Sequence, residues 1–298
     1  MIETMLGSKG SKGSKGSKGN RGSTPTGTAD PVDEVFLVDP SIRERRRRTL
    51  IVVVARVALT LVALLSWEMA SGRLVSEFWI SSPGAVWSAL AEFAGDGQLL
   101  PAVWATLVET ALGFVAGAAT GIAVGLLFGV SSLVARTLDP FLVAFNSIPR
   151  VALIPLFILW FGIGLETKVL FAATLVFFPV FMNTFAGARD VDRDLIDVIR
   201  VMGASRFDAV RQVLIPSALV WVFAGLRMSV PFALIGAVVA EMFTSNEGLG
   251  YLISVTANQY DTAGSFAALL VTTALGLALT GAVSLLERRT LRWRPATG

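Results

Sequence analysis

The chain has 298 residues, 54% of them hydrophobic and only 16% charged, and its mean hydropathy is +0.68. A soluble domain carries about 25% charged residues, so this is the composition of a membrane protein. With neither cysteine nor histidine, disulfides, thiolate metal sites and most zinc or general-base chemistry are excluded. The net charge of +3 does not indicate nucleic acid, because most of the basic residues flank apolar runs.

Residues 1–49 read as a disordered basic tail. Within it GSKGSKGSKGSKG (7–19) has glycine at every third place, as in collagen, but no proline, and nothing there can bury a core. Such a tail is either a basic arm drawn to anionic lipid, with roughly 1 kcal/mol per lysine near the surface, or a dispensable extension, with Met5 or a later position as the true start. It lacks the apolar core and small-residue cleavage site of a signal peptide.

RERRRRTL (43–50) leads into the first of six apolar spans, at about 50–70, 102–129, 139–161, 168–187, 217–242 and 264–286. Each is close to the ~20 residues that cross ~30 Å of hydrocarbon. The transmembrane region is therefore 50–287, followed by a short tail, 288–298. Pro149 and Pro155 interrupt the third span, which predicts a kinked or broken helix. Between the first two spans, ISSPGAVWSALAEFAG (80–95) predicts a separate helix. Ser82 suits the N-cap, Pro83 the first helical position, and Gly95 the stop. Val86, Leu90 and Phe93 recur at helical spacing, and Trp79 and Trp87 suit the outer membrane interface.

The second span carries Gly113, Gly117, Gly121, Gly125 and Gly129, each four residues from the next. That spacing keeps them on nearly one helix face. A face without side chains lets another helix approach closely, in the same chain or in a second copy. Charged groups inside spans are costly, about 2.5–3.5 kcal/mol at the helix centre. Arg150 and Arg227, with Asn146 and Glu241, are therefore candidates for a polar path; Arg227 is expected to face Glu109 or Glu241, or to reach the aqueous boundary. Glu241 is expected near the outer interface.

Orientation follows from the basic residues. With an internal N-terminus, twenty of the twenty-five Lys and Arg residues fall in internal segments, and only Arg73 and Lys168 in external ones. Both termini are thus expected in the cytoplasm, and so is the loop 188–216. In that loop Leu195, Ile196, Ile199 and Met202 form an apolar stripe behind Asp192, Asp194 and Asp197. Gly203 supplies a left-handed helix end, Ser205 and Asp208 make a capping box, and Phe207, Val210 and Leu214 make a second stripe ending at Pro216. Such an amphipathic pair either lies on lipid or presents a helix to a partner's groove.

The spacing resembles the loop signature of ABC-importer permeases, EAA-x3-G-x9-I-x-L-P. Here Asp197, Val198 and Ile199 stand for the first three positions, Gly203 for the glycine, and Val213, Ile215 and Pro216 for the end. SSPGAVWSAL, GFVAGAATGIAVG, IPRVALIPLFILWFGIG, VVAEMF and GLGYLI are similar to the nitrate/sulfonate/taurine branch, over about residues 60–290. The resemblance implies an all-α membrane fold with six transmembrane helices, of the type I importer permease kind, working as a dimer. It implies cytoplasmic ATPase subunits docked at a coupling helix, where Arg206 and Asp208 offer polar contacts and Ala204 and Phe207 packing contacts, and an extracytoplasmic solute-binding protein. The implied solute is a small molecule, with an anion such as a sulfonate or nitrate as the candidate, and no cofactor or active site is implied.

A phosphate-binding P-loop needs a Gly-Lys dipeptide, and none occurs, so the energy source must lie on a partner. The residues alone leave open a secondary transporter or channel, or a non-transporting scaffold that recruits a cytoplasmic protein.

Overall fold

The computed structural model describes residues 40–129, 147–190 and 215–291 continuously, together with Thr137, Pro140, Phe141, Ala144, Phe145, Val198, residues 201–203, Ser205, Asp208, Arg211 and Gln212; side chains are described from Arg47 onward. The chain divides into two units, residues 1–58 and 59–298. The described part of the first unit is the opening of helix α1 (Pro40–Ala70). Its apolar residues, Leu50, Val54 and Val57 among them, are exposed. The helix begins at Pro40 rather than at 50, so the arginine run assigned to the tail is helical and continuous with the apolar run.

In the second unit the described elements are nearly all helical. A short α2 (Glu77–Ile80) precedes α3 (Pro83–Gly95), where the Ser82 hydroxyl accepts from the Ala85 N–H at 3.2 Å and Pro83 opens the helix. Then come α4 (Leu99–Gly129), a 3-10 turn (Arg150–Leu153), α5 (Ile154–Phe161), α6 (Leu165–Arg189), α7 (Ile215–Thr244), α8 (Leu249–Asn258) and α9 (Thr262–Thr290). Among the described residues α1, α4, α6, α7 and α9 are long and apolar enough to cross a membrane, and Arg150–Phe161 is a shorter apolar helix. The prolines explain that shorter piece. Pro149 is extended, and Pro155 lies in the first turn of α5, where its missing N–H costs no hydrogen bond. The rest of the span expected at 139–161 lies largely outside the described residues. The helices α2 and α8 were not expected from periodicity; both are too short to repeat a pattern.

The core is built on α6, which packs between α4 and α7. The five glycines of α4 are buried against α6 of the same chain. A Cβ at Gly121 would lie 2.8 Å from the Phe177 carbonyl oxygen, and one at Gly125 2.8 Å from Thr184 Cβ. On the other side of α6, a Cβ at Gly236 of α7 would lie 2.6 Å from Ala172 Cα. Ala172 is thus held between Gly113 and Gly236. Close backbone approach on both flanks buries Phe171, Ala172, Val176 and Val180 completely, and dispersion over this seam replaces the hydrophobic drive that lipid removes. The shorter α8 packs on α7 and α9, bringing Leu249 and Leu252 against Ala102 and Ala268.

Candidate functional site

The candidates in the loop 188–216 are described in part. Gly203 has φ of +88°, in the left-handed region that favours glycine, just after Met202 N–H closes a helical turn on the Val198 carbonyl at 3.2 Å. The Ser205 hydroxyl accepts from the Asp208 N–H at 3.2 Å, while Asp208 Oδ2 accepts from the Ser205 N–H at 2.9 Å and from its hydroxyl at 2.6 Å. This is a reciprocal capping box. The bonds from Ser205 hold the Asp208 carboxyl below its ordinary value. The cap is therefore in force above the usual carboxylate range and is lost only as pH falls through the lowered value. Val198, Val201 and Met202 are exposed, and Pro216 sits in the first turn of α7. Asp197, Ala204, Arg206 and Phe207 lie outside the described residues.

Of the path candidates, Asn146 also lies outside the described residues. Arg150 opens the 3-10 turn, half-buried, with its guanidinium 4.8 Å from the centre of the Phe178 ring. It lines an apolar cavity of about 340 Å³ with Phe128, Phe177 and Phe181.

The expected pairing of Arg227 with Glu109 or Glu241 is not found. Arg227 Nη1 reaches Glu287 Oε2 of α9 at 3.4 Å, and its side chain is 53% exposed. Helix geometry gives the reason. Glu241 lies fourteen residues further along the same helix, about 21 Å away at ~1.5 Å per residue.

Glu109 instead faces Lys168, and the two are buried together, with Lys168 Nζ also donating to the Ser245 hydroxyl at 3.1 Å. Lys168, assigned to an external segment by charge counting, is a buried ion-pair partner. A lone lysine near an apolar span opposite a lone acid was the available signal: beyond residue 18 the sequence contains no other lysine.

Glu241 is fully buried within the protein. Its carboxylate accepts from Thr106 Oγ1 at 2.7 Å and from the Gly250 N–H at 2.7 Å, and the Thr106 hydroxyl accepts from the Leu249 N–H at 2.9 Å. These are the first amides of α8, which Gly248 cannot cap with a side chain. A carboxylate at a helix N-terminus satisfies the orphan donors and complements the dipole. The φ of +110° at Gly248 and the lack of room for a Cβ beside Glu241 at both Gly248 and Gly250 account for the GLG sequence. Thr106 was not singled out from sequence because its partners Glu241 and Leu249 are 135 and 143 positions away.

The fold is shared with membrane subunits of known transporters. It superposes on a chain of the inward-facing MetNI methionine ABC transporter with a TM-score of 0.57 at 22% identity, covering 64% of this chain and 95% of that one. An amino acid ABC transporter solved with histidines gives 0.54 at 20% identity, over 67% and 97%. These likenesses establish a type I ABC-importer permease fold.

Residues 113–292 match the family described as binding-protein-dependent transport system inner membrane component, and the chain belongs to that family. It is similar to SsuC of Bacillus subtilis (strain 168), named for aliphatic sulfonates transport, at 35% identity over 79% of this chain and 86% of that protein. The formylaminopyrimidine transport permease protein ThiX of Halalkalibacterium halodurans is 32% identical over 78% and 93%. The taurine transport system permease protein TauC of Escherichia coli (strain K12) is 30% identical over 78% and 88%. The protein is a multi-pass inner-membrane permease, a transport component and not an enzyme.

Proposed function

We propose that two copies of this chain form the translocation path of an importer, that an extracytoplasmic binding protein delivers the solute, and that cytoplasmic ATPase subunits drive the cycle by gripping the loop 197–216. The observation that carries this reading is the left-handed Gly203 followed by the Ser205–Asp208 capping box, thirteen residues ahead of Pro216. A glycine-ended turn followed by a capping box is the local pattern of a docking body, and exposed Val198, Val201 and Met202 offer it apolar contact. Arg206, Phe207 and Ala204 complete the docking face on this reading. ATPase closure then biases one permease conformation through differential contacts with that body. Both termini are cytoplasmic, as the arginine and lysine distribution requires.

Relatives named for aliphatic sulfonates, taurine and formylaminopyrimidine support a small organic solute. Arg150, with Asn146 beside it in the chain, is the path cation we assign. Glu241 and Arg227 are better read as structural, since the first is enclosed and the second bonds Glu287.

The test is Gly203→Asp in the assembled transporter. Among the described residues nothing crowds a Cβ at Gly203, so the cost is conformational, about 1–2 kcal/mol for a left-handed non-glycine residue. ATP hydrolysis is expected to persist while ATP-dependent uptake into vesicles falls severalfold. Unchanged uptake by correctly assembled complexes would refute the coupling role.

A further inference from the structure

Where α4 begins and α7 ends, two acids and one base are enclosed together. Glu109 of α4, Lys168 of α6 and Glu241 of α7 are the buried charged side chains among the described residues. Their bonds interlock. Lys168 joins Glu109 to Ser245, one helical turn beyond Glu241, and Thr106, one turn before Glu109, bonds Glu241. Glu241 also accepts from the Gly250 N–H, so both of these donors are neutral. The second oxygen of Glu109, Oε2, is buried with no hydrogen-bond partner among the described residues. Yet the Glu109 and Glu241 carboxyls lie within hydrogen-bonding reach of each other. Two ionised carboxylates are acceptors only, so a direct bond between them requires a proton.

The charge balance points the same way. With all three groups ionised, the enclosed set carries one negative charge in excess. Exposed Glu247, in the segment before α8, adds repulsion on Glu109. The described helices packed around the set bring no second cation to it. The α5 and α8 sequences contain no lysine or arginine, and the arginines of α9 lie in its last turn. Tyr251 of α8 borders a separate cavity with Glu247, Asp261 caps α9 at the Gly264 N–H, and Glu92 of α3 and Glu166 of α6 are exposed. We propose that Glu109 and Glu241 hold one proton between them, carried by Glu241 and donated to Glu109, and that this proton latches the start of α8 to α4 and α7. Lys168 keeps Glu109 ionised, which leaves Glu241, with its neutral donors, as the acid. The proton brings the set to zero net charge and gives Glu109 a further donor. A cavity of about 570 Å³ lined by Glu109, Lys168, Ser245 and Glu247 connects the pair with exposed Glu247 and so offers the proton a route. When Glu241 releases the proton to water, two carboxylates face each other in an enclosed site with one ammonium to balance them. Their repulsion then loosens α4 from α7 where α8 starts.

The experiment is infrared difference spectroscopy of the full-length chain in an ester-free detergent, wild type against variants, with amide hydrogen exchange on the same samples. At neutral pH the wild type should show the carbonyl stretch of a protonated carboxyl, shifted in D2O and lost as pH rises. Glu241→Gln, whose amide mimics the protonated acid, should remove that band. Glu109→Gln should remove it as well, because one acid and one lysine balance without a proton; it is the second variant should the first not fold. Exchange at the Leu249 and Gly250 amides is compared with the intrinsic rate at each pH. With the latch open, Glu241 is an ordinary carboxyl, ionised above about pH 5, whereas the closed latch keeps its proton. The closed state therefore binds one more proton, and protection should fall severalfold as pH rises. In Glu241→Gln it should stay level. A wild type without the band at neutral pH, a band that survives both substitutions, or protection that is independent of pH in the wild type would each overturn the proposal. Neither measurement involves uptake, so the outcome is separate from that of the transport reading.

Discussion

Lys168 reaches Glu109 across the α4–α6 seam and is almost entirely enclosed. Two opposite charges desolvated together offset each other, but neither is tolerable alone. We expect Lys168→Met to destabilise the protein by about 3–5 kcal/mol, and Lys168→Met combined with Glu109→Met to recover most of that loss. The seven tryptophans allow thermal melting to be followed by intrinsic fluorescence, and a single variant melting like the wild type would contradict the pairing. At this scale the sequence was read unevenly. Gly203 and the Ser205–Asp208 box were legible because capping is local, three residues from donor to acceptor. The partners of Glu109, Arg227 and Glu241 were not, because each is chosen by which helix faces arrive together.

At the scale of elements, the glycine stripe of α4 was legible as a contact face but not as a contact with α6. The backbone of α6 sets the spacing: a Cβ on Gly121 would also lie 3.1 Å from the Phe181 nitrogen, and backbone atoms in a helix cannot move aside. Gly281 of α9 has no described residue near its missing Cβ. The same substitution should therefore have opposite signs at the two places. Gly281→Ala is expected to stabilise by roughly 0.5–1 kcal/mol through helix propensity, and Gly121→Ala to destabilise by about 1–3 kcal/mol through overpacking. Melting both variants in the same detergent checks the prediction, and a common sign would contradict the packing. The third apolar span shows the opposite kind of partial legibility. Proline chemistry predicted a kinked or broken helix at 149–155, and Pro149 and Pro155 flank the start of a new short helix.

For the whole molecule, the arginine and lysine distribution makes an orientation prediction that packing does not. A short tag inserted at Gly97, which is exposed with φ of +70° and has open space around it, should be reached from outside intact cells by an impermeant antibody. A tag after residue 298 should be reached only after permeabilisation. The reverse pattern would invert the path and detach the loop 197–216 from any cytoplasmic ATPase.

By itself the sequence determined that this is a helical membrane protein, where its long spans lie and how its local caps are made. Those properties rest on composition, periodicity and short-range hydrogen bonding, which act within a few residues along the chain. Tertiary structure decided that the glycines of α4 receive α6, that Lys168 neutralises Glu109, that Thr106 joins Glu241 at the start of α8 from 135 residues away, and that Arg150 stands over an aromatic-walled cavity. Those follow from which buried faces meet, and in lipid that choice is made by close packing and charge compensation between distant segments.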